Sequence, residues 1–249
     1  MKLKYLASIC AAGLTSVFAG LTSVFLVGAA SASTLVVNGD FEDTSLAGGG
    51  LVHGQELADL ATGPGSSWDV YTTIPGWTTA SGAGIEVQTN RTLTSIDAQS
   101  GQHYIELDSH PSPTSNSSMK QEIQLDIGTY KLSFWYSPRN GDANSNGIEY
   151  SVTGAPDDNN LLLAGGVTGP SASNGTSVGA WTQFTSLFTV GSGDSPVTLL
   201  FAATGKENTL GGFIDSVSIS AVPVPAGLPM LLTAFAGIGY AARRRARRA

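Results

Sequence analysis

Cysteine is almost missing from this 249-residue chain; Cys10 is the only one. That excludes a disulfide scaffold and any multi-thiolate zinc site. Charge is scarce too. Asp, Glu, Lys and Arg make up 12% of the residues, about half the ~25% of an average globular protein. Cations are the rarer sign, twelve against nineteen acids, for a formal net charge of -7. So few cations make no nucleic-acid surface unless a folded face gathers them. Wholesale disorder is excluded as well, because 41% of the residues are hydrophobic. Amphipathic helical stretches of useful length are missing between residues 33 and 221.

What is present begins with two termini that read as addresses. Residues 1–32 have the form of a secretory signal peptide: Lys2 and Lys4, an apolar run from Leu14 to Ala30, and the small-residue cleavage site Ala30-Ser31-Ala32. The run repeats AGLTSVF at Ala12–Phe18 and Ala19–Phe25, as a segment selected only for hydrophobicity tolerates. Cys10 leaves with it. At the other end, Val222-Pro223-Val224-Pro225-Ala226-Gly227 precedes an apolar stretch, Leu228 to Ala242, and then Arg243, Arg244, Arg245, Arg247 and Arg248. Ala226 to Ala242 makes about 25 Å of helix at ~1.5 Å per residue, the short limit for a transmembrane helix. The arginines hold that end in the cytoplasm by the positive-inside rule. A plain membrane anchor accounts for the same residues. A nucleic-acid-binding tail does not, since the cations abut an apolar helix instead of a folded basic face. The tripartite end resembles the PEP-CTERM sorting signals of Gram-negative bacteria, in the variant whose motif reads VPLPAG, with Val224 here where leucine is usual. The resemblance implies an exosortase-type processing enzyme as partner and the inner membrane as a transient or anchoring site. It also implies a destination at the cell surface or in extracellular polysaccharide.

Residues 33–221 show short alternating or apolar runs divided by Gly, Ser, Asn, Asp and Pro clusters, the pattern of an all-β sandwich or barrel. Strands are expected at Leu35–Val37, Gly84–Gln88, His103–Leu107, Met119–Leu125, Gly128–Ser137, Ile148–Thr153, Leu161–Ala164, Trp181–Val190, Val197–Ala203 and Phe213–Ser220. Alternation is cleanest in Leu132, Phe134, Tyr136 and in Ile148, Tyr150, Val152, which puts one face in a core and the other toward solvent. The ordered segments VVNGDFED, SSWDVYTTIPGWTT, GAGIEV, GQHYIELDS, TYKLSFWYSPR, AWTQFTSLFTV and GGFIDSVSIS resemble the galactose-binding-like jelly-roll domains of secreted bacterial proteins. The resemblance implies a single jelly-roll β-sandwich over 33–221, followed by the sorting signal over 222–249. It covers nearly all of 34–220; long Gly/Ser insertions at 46–65 and 165–179 depart from it.

Several constellations could carry chemistry. Asp215 shares strand phase with Phe213, Val217 and Ile219 and is expected to point inward, where a carboxylate needs a cation or several donors. The resemblance implies a structural Ca²⁺ held by one carboxylate from the opening segment, Glu42, and one from the closing strand, Asp215. Asp40, Asn38 or backbone carbonyls would complete six to eight oxygens. Backbone N–H donors at a strand end explain Asp215 equally well. Asp142 to Gly147 matches half of an EF-hand loop but lacks the glutamate that should follow, so turn chemistry suffices. Gly175 to Gly179 satisfies G-x-S-x-G without the strand and helix that a nucleophilic Ser177 needs. Glu106 and Asp108 lie about 7 Å apart along one strand face, at ~3.3 Å per residue, comparable to inverting glycosidases. A solvated outer face is the expected setting for that pair.

Binding fits better than catalysis. Trp68, Tyr71, Trp77, Trp135 and Trp181 offer rings for stacking on sugars, although strand aromatics are mostly core. Trp135 falls out of phase with Phe134 and Tyr136 and is the expected exposed platform, with Arg139 placed to meet a hydroxyl or an acid. The expected carbohydrate contacts are Trp135, Arg139, Trp68 and Tyr71. The main reading is a secreted, non-enzymatic module for a glycan or exopolysaccharide. A structural or adhesive surface protein is the alternative, and an enzyme comes third. All nineteen acids and only five of the twelve cations fall within 33–221, so that domain carries a net -14. Such a domain favours cations as partners over anionic polymers.

Overall fold

The computed structural model describes residues 34–46, 48–60, 67–93, 96–111, 114–155 and 160–223, together with Arg243, Ala246 and Arg247. The chain divides into two units, Met1–Ser31 and Ala32–Ala249. The expected signal peptide with Ala30 and Ala32 lies outside the described residues, as do Val224, Pro225, Ala226, Gly227 and the apolar stretch after them. Among the described residues, no helix is long and apolar enough to cross a membrane.

The described residues form one 3₁₀ turn, Leu57–Asp59, and twelve strands: β1 (Trp68–Tyr71), β2 (Thr73–Ile74), β3 (Trp77–Ser81), β4 (Ile85–Thr89), β5 (His103–Glu106), β6 (Ser118–Ile123), β7 (Gly128–Ser137), β8 (Gly147–Gly154), β9 (Asn160–Val167), β10 (Thr182–Val190), β11 (Val197–Thr204) and β12 (Phe213–Ala221). They pair antiparallel into two six-stranded sheets, β1-β4-β5-β12-β7-β10 and β2-β3-β6-β11-β8-β9. The expected all-β sandwich is what the chain forms. Alternation explains the packing. Tyr130, Leu132, Phe134 and Tyr136 of β7 are buried against Val197, Leu199 and Phe201 of β11. Phe134 meets Phe201 and Tyr150 edge-on, each at 5.1 Å between ring centroids. Burying one such side chain contributes ~1.5–3 kcal/mol. Trp77 is also core, 1% exposed, with its Nε1 donating to the Asn38 carbonyl at 3.1 Å.

Leu35–Val37 is not a strand. Residues 37–40 form a turn, with Asn38 and Phe41 at φ of 49° and 59°. The turn swings Phe41 into the core beside Trp77, at 5.9 Å. Two bonds tie this opening segment to β12, Leu35 N–H to the Ile219 carbonyl (2.8 Å) and Val217 N–H to the Gly39 carbonyl (2.7 Å). A β-bulge between Asp215 and Ser218 shifts the register of β12. Ile214, Val217 and Ile219 enter the main core, whereas Phe213 joins a second cluster with Ile96 and Tyr104. Asp215 is therefore buried as expected but on the other side of its sheet. The bulge, centred on Ser216 at φ 51°, breaks the phase that Asp215 would share with Val217 and Ile219.

Candidate functional site

The outer face of the first sheet gathers most of the unusual side chains. Register places one row across all six strands. Trp68 pairs with Gln88, Gln88 with Tyr104, Asp215 with Trp135, and Trp135 with Gln183. The Ile105–Ile214 pairing sets Tyr104 beside Asp215. Four strand spacings of ~4.8 Å separate the strands of Trp68 and Trp135, about 19 Å in all.

A strap covers the middle of this row. The β4–β5 connection, Asn90–Gln102, folds back over the sheet and packs Ile96 on Tyr104 and Phe213. Asp215 Oδ2 accepts the N–H groups of Gln99 (2.7 Å) and Ser100 (3.0 Å). Glu42 Oε1 accepts those of Gln102 and His103, both at 2.7 Å, and its other oxygen meets His103 Nδ1 at 3.1 Å. Trp181 Nε1 donates to the Asp97 carbonyl at 2.8 Å. Burial pushes the Asp215 carboxyl up to about 7, against the pull of its three N–H donors. Burial also raises Glu42, but bonds to the His103 ring and to the two N–H groups outweigh it and leave this carboxyl below its usual range.

Glu42 and Asp215 thus hold one short segment from two sides, through backbone N–H groups. The residues present fit a calcium ion in part. Asp215 is a buried carboxylate with no cation bonded to it, yet its oxygens and those of Glu42 already accept donors. Asp40, which is exposed, does not join them, and no three His, Cys, Asp or Glu side chains converge on a metal position among the described residues.

Trp135 lies half-buried on the outer face, while its neighbours Phe134 and Tyr136 are core. It sits on β7, next to the edge strand β10, among Ser133, Gln183, Thr185 and Ser218. Gln183 Nε2 donates to Ser133 Oγ at 2.9 Å. The result is one indole set in a patch of hydroxyl and amide groups.

Trp68 is half-buried at the opposite end, on β1. His110 lies over it at 4.4 Å with a 35° tilt, and His53 meets it edge-on at 4.5 Å. His53 is positioned by Asp69, a fully buried carboxylate that accepts N–H bonds from Val52, His53, Gln55 and Val70. Beneath the rings runs a buried polar network. Glu86 and Glu106 pair directly across β4 and β5. Gln88 Nε2 bridges them, at 2.7 and 2.5 Å. Arg139 Nη1 donates to both oxygens of Glu106 at 2.8 and 2.6 Å and to the Thr209 carbonyl. Glu86 accepts from His110, backbone N–H at 3.2 Å and ring Nδ1 at 3.1 Å. Burial, and then the facing Glu86, push the Glu106 carboxyl well above its usual range, with Arg139 opposing.

Three expectations are corrected by burial. Tyr71 is core, 3% exposed, with its hydroxyl donating to the Gln55 carbonyl at 3.0 Å, so it presents no ring to a sugar. Arg139 meets an acid and not a ligand hydroxyl; its side chain is 10% exposed. Glu106 and Asp108 are not solvated, for both are fully buried. Asp108 accepts from the Ser115 hydroxyl and from the N–H groups of Asn208 and Leu210, which pins the loop before β12. Asp69, Glu86, Gln88 and His110 were missed. The I-E-V-Q-T alternation of β4 does place Glu86 and Gln88 on one face, but nothing local says that face is covered.

A cleft of about 440 Å³ lies elsewhere, along β8 and β9, lined by Glu149, Ser151, Ala164, Gly166 and Leu200. Its one ring, Tyr150, is engaged with Phe134 and with Ser186. Size alone does not make it the better site, because it offers no free stacking surface.

No family model matches the chain, and no curated protein does either. Solved structures are similar to it to differing degrees. The Stig cyclase FisC from Fischerella sp. TAU, solved with a 3H-indole ligand, is 16% identical with a TM-score of 0.50, over 78% of this chain and all of that one. TmCBM61, solved in complex with beta-1,4-galactotriose, is 19% identical with a TM-score of 0.39, over 59% of this chain and 88% of that one. A CBM4 structure is 17% identical with a TM-score of 0.38, over 75% and 99%. Several of these similar structures, at TM-scores below 0.5, are carbohydrate-binding modules.

Proposed function

We propose that the sandwich is a non-catalytic glycan-binding module of an exported protein, with the ligand lying on the outer face of the first sheet. The observation that carries this reading is Trp135, a partly exposed indole held on β7 within a patch of hydroxyls and amides. Aromatic rings beside fixed hydrogen-bonding groups suit the apolar faces and hydroxyl rims of sugars. Catalysis is not proposed, since the acids placed closest to act as a pair, Glu86 and Glu106, are fully buried and committed to Gln88 and Arg139. A glycan array with the wild type and Trp135→Ala tests the reading. Binding that Trp135→Ala weakens by tenfold or more, about 1.4 kcal/mol, is expected. No glycan bound by the wild type overturns it in favour of a structural or adhesive role.

The sorting reading is proposed alongside. The last described strand ends just before the motif: Val222 N–H donates to the Thr129 carbonyl (2.8 Å) just beyond β12, and exposed Pro223 follows. Cleavage near Val222–Gly227 by an exosortase-type enzyme would leave the sandwich whole. Mass spectrometry of the exported protein shows this as loss of the arginine-rich end. An intact end makes the apolar stretch a permanent inner-membrane anchor.

A further inference from the structure

The Trp68 end of the same face is short of positive charge, and one buried acceptor there lacks a donor. Glu86 and Glu106 are both fully buried, and a single guanidinium, Arg139, serves them through Glu106 alone. The Gln88 amide must turn its nitrogen to both carboxylates, because a carboxylate only accepts. Its Oε1 is thereby left without a donor, on a residue that is itself fully buried. An orphaned buried acceptor costs ~1–3 kcal/mol and adds to the negative potential beneath the rings. Burial and the facing Glu86 raise the Glu106 carboxyl well above its usual range, against the pull of Arg139.

Above this network the surface is aromatic. Trp68 is partly exposed, the His110 side chain is 32% exposed, and His53 is exposed. His110 Nδ1 must donate to Glu86, so the ring is oriented by the same acid. A cation over an indole is attracted by the ring quadrupole, and unbalanced negative charge just below draws cations and repels anions. The whole domain, at net -14, acts in the same sense.

We infer that the ligand of this face is a cationic, amine-bearing glycan, whose ammonium group docks beside Trp68 above Glu86 and Gln88. The inference rests on the glycan reading of the Trp135 face and names the class of sugar. An ammonium brings one positive charge to a surface beneath which two carboxylates share one guanidinium. A neutral sugar brings none, and a uronate brings a repelled charge.

The test is calorimetry of the full chain against four probes: a β-1,4-linked glucosamine hexamer, its fully N-acetylated counterpart, cellohexaose and polygalacturonate. The glucosamine hexamer is expected to bind at least about tenfold more tightly than the acetylated and neutral hexamers, the scale of a desolvated cation–π contact with its charge partner. That preference is expected to shrink as salt is raised and to fall toward unity in Glu86→Gln, whereas Trp135→Ala weakens every hexamer alike. Comparing probes on the wild type keeps the test valid should Glu86→Gln not fold. Equal or tighter binding of the neutral or acetylated hexamer, or of polygalacturonate, overturns the inference and leaves the glycan reading standing. No binding to any of the four, with none on a wider glycan array, overturns both.

Discussion

Removing the Arg139 guanidinium tests the electrostatics on which the face depends. In Arg139→Ala, Glu106 loses the one cation that meets both its oxygens, at 2.8 and 2.6 Å, and the Thr209 carbonyl loses its donor. What remains beside Glu106 is the Gln88 amide, the Gly211 N–H and, across the strand pair, Glu86. Breaking a buried pair in this way costs ~3–5 kcal/mol at neutral pH, on the order of 10 °C in Tm for a domain of this size. The cost should depend on pH, with a definite sign. The Glu106 carboxyl is already raised in the folded state, and losing Arg139 raises it further. A carboxyl raised by folding contributes stability at low pH that is lost as pH climbs through the folded value. At low pH, where the acid is neutral, only hydrogen bonds are lost, ~1–2 kcal/mol. The penalty grows as pH rises and the carboxyl ionises. Urea unfolding followed by tryptophan fluorescence, with unchanged m-values, measures both. Glu106→Gln with Arg139→Met should recover most of the loss, since neutral isosteres often match a buried ion pair. A cost below ~1 kcal/mol at every pH, or one that does not grow as pH rises, refutes the reasoning.

Other predictions follow from the strap. Asp215, raised to about 7 from 3.8, stabilises the fold fully below about pH 3.8 and loses that contribution as pH rises to about 7. In EDTA the wild type should therefore weaken over that range more steeply than Asp215→Asn, and parallel slopes would remove Asp215 as the cause. Calcium is proposed to relieve the same buried charge; about 1 mM, in the range of extracellular modules, should raise the Tm of EDTA-treated protein. An unchanged Tm leaves Glu42 and Asp215 to the backbone alone. Gly101 has φ +67°, and a Cβ there would stand 2.3 Å from the Glu42 carboxyl carbon. Gly101→Ala should cost ~1–2 kcal/mol from the backbone alone and more from displacing Glu42. Gly166→Ala, where the nearest atom is 3.5 Å away, should stay within ~1 kcal/mol of wild type. Equal losses in the two variants would mean that Glu42 does not hold the strap.

The parts of the fold that could be read from residue order are those governed by local alternation. β7 runs Gly128–Ser137 as its periodicity demands, and Trp135 stands on the face opposite Phe134 and Tyr136 for that reason alone. The short strands β1, β2 and β3 were hidden in SSWDVYTTIPGWTT because two to five residues give too few periods to see. Leu35–Val37 misled in the opposite direction. Its apolar residues look like a strand, but the turn at 37–40 serves to insert Phe41 into the core, a demand set by Trp77 about forty residues away. β12 shows the limit most clearly: a single bulge at Ser216 reverses which face Asp215 occupies.

The candidate site was harder to read than the fold because its acids follow an unusual rule. Strand alternation assigns Glu86, Gln88 and Glu106 to the face away from the core, which ordinarily means water. Here that face is covered in part by the strap, which packs Ile96 on Tyr104 and Phe213, and by the loop that Asp108 holds, whose Gly211 N–H meets Glu106. Loops are fastened by carboxylates accepting backbone N–H groups: Asp215 and Glu42 hold the strap, Asp108 the loop before β12, and Asp69 residues 52–55. These four of the nineteen acids act as hooks, a task that lysine and arginine, as donors, do not perform toward N–H groups. Hooks of one sign leave a residue of negative charge behind. Where Trp68 and His110 bring the surface close to it, that leftover charge selects what can bind.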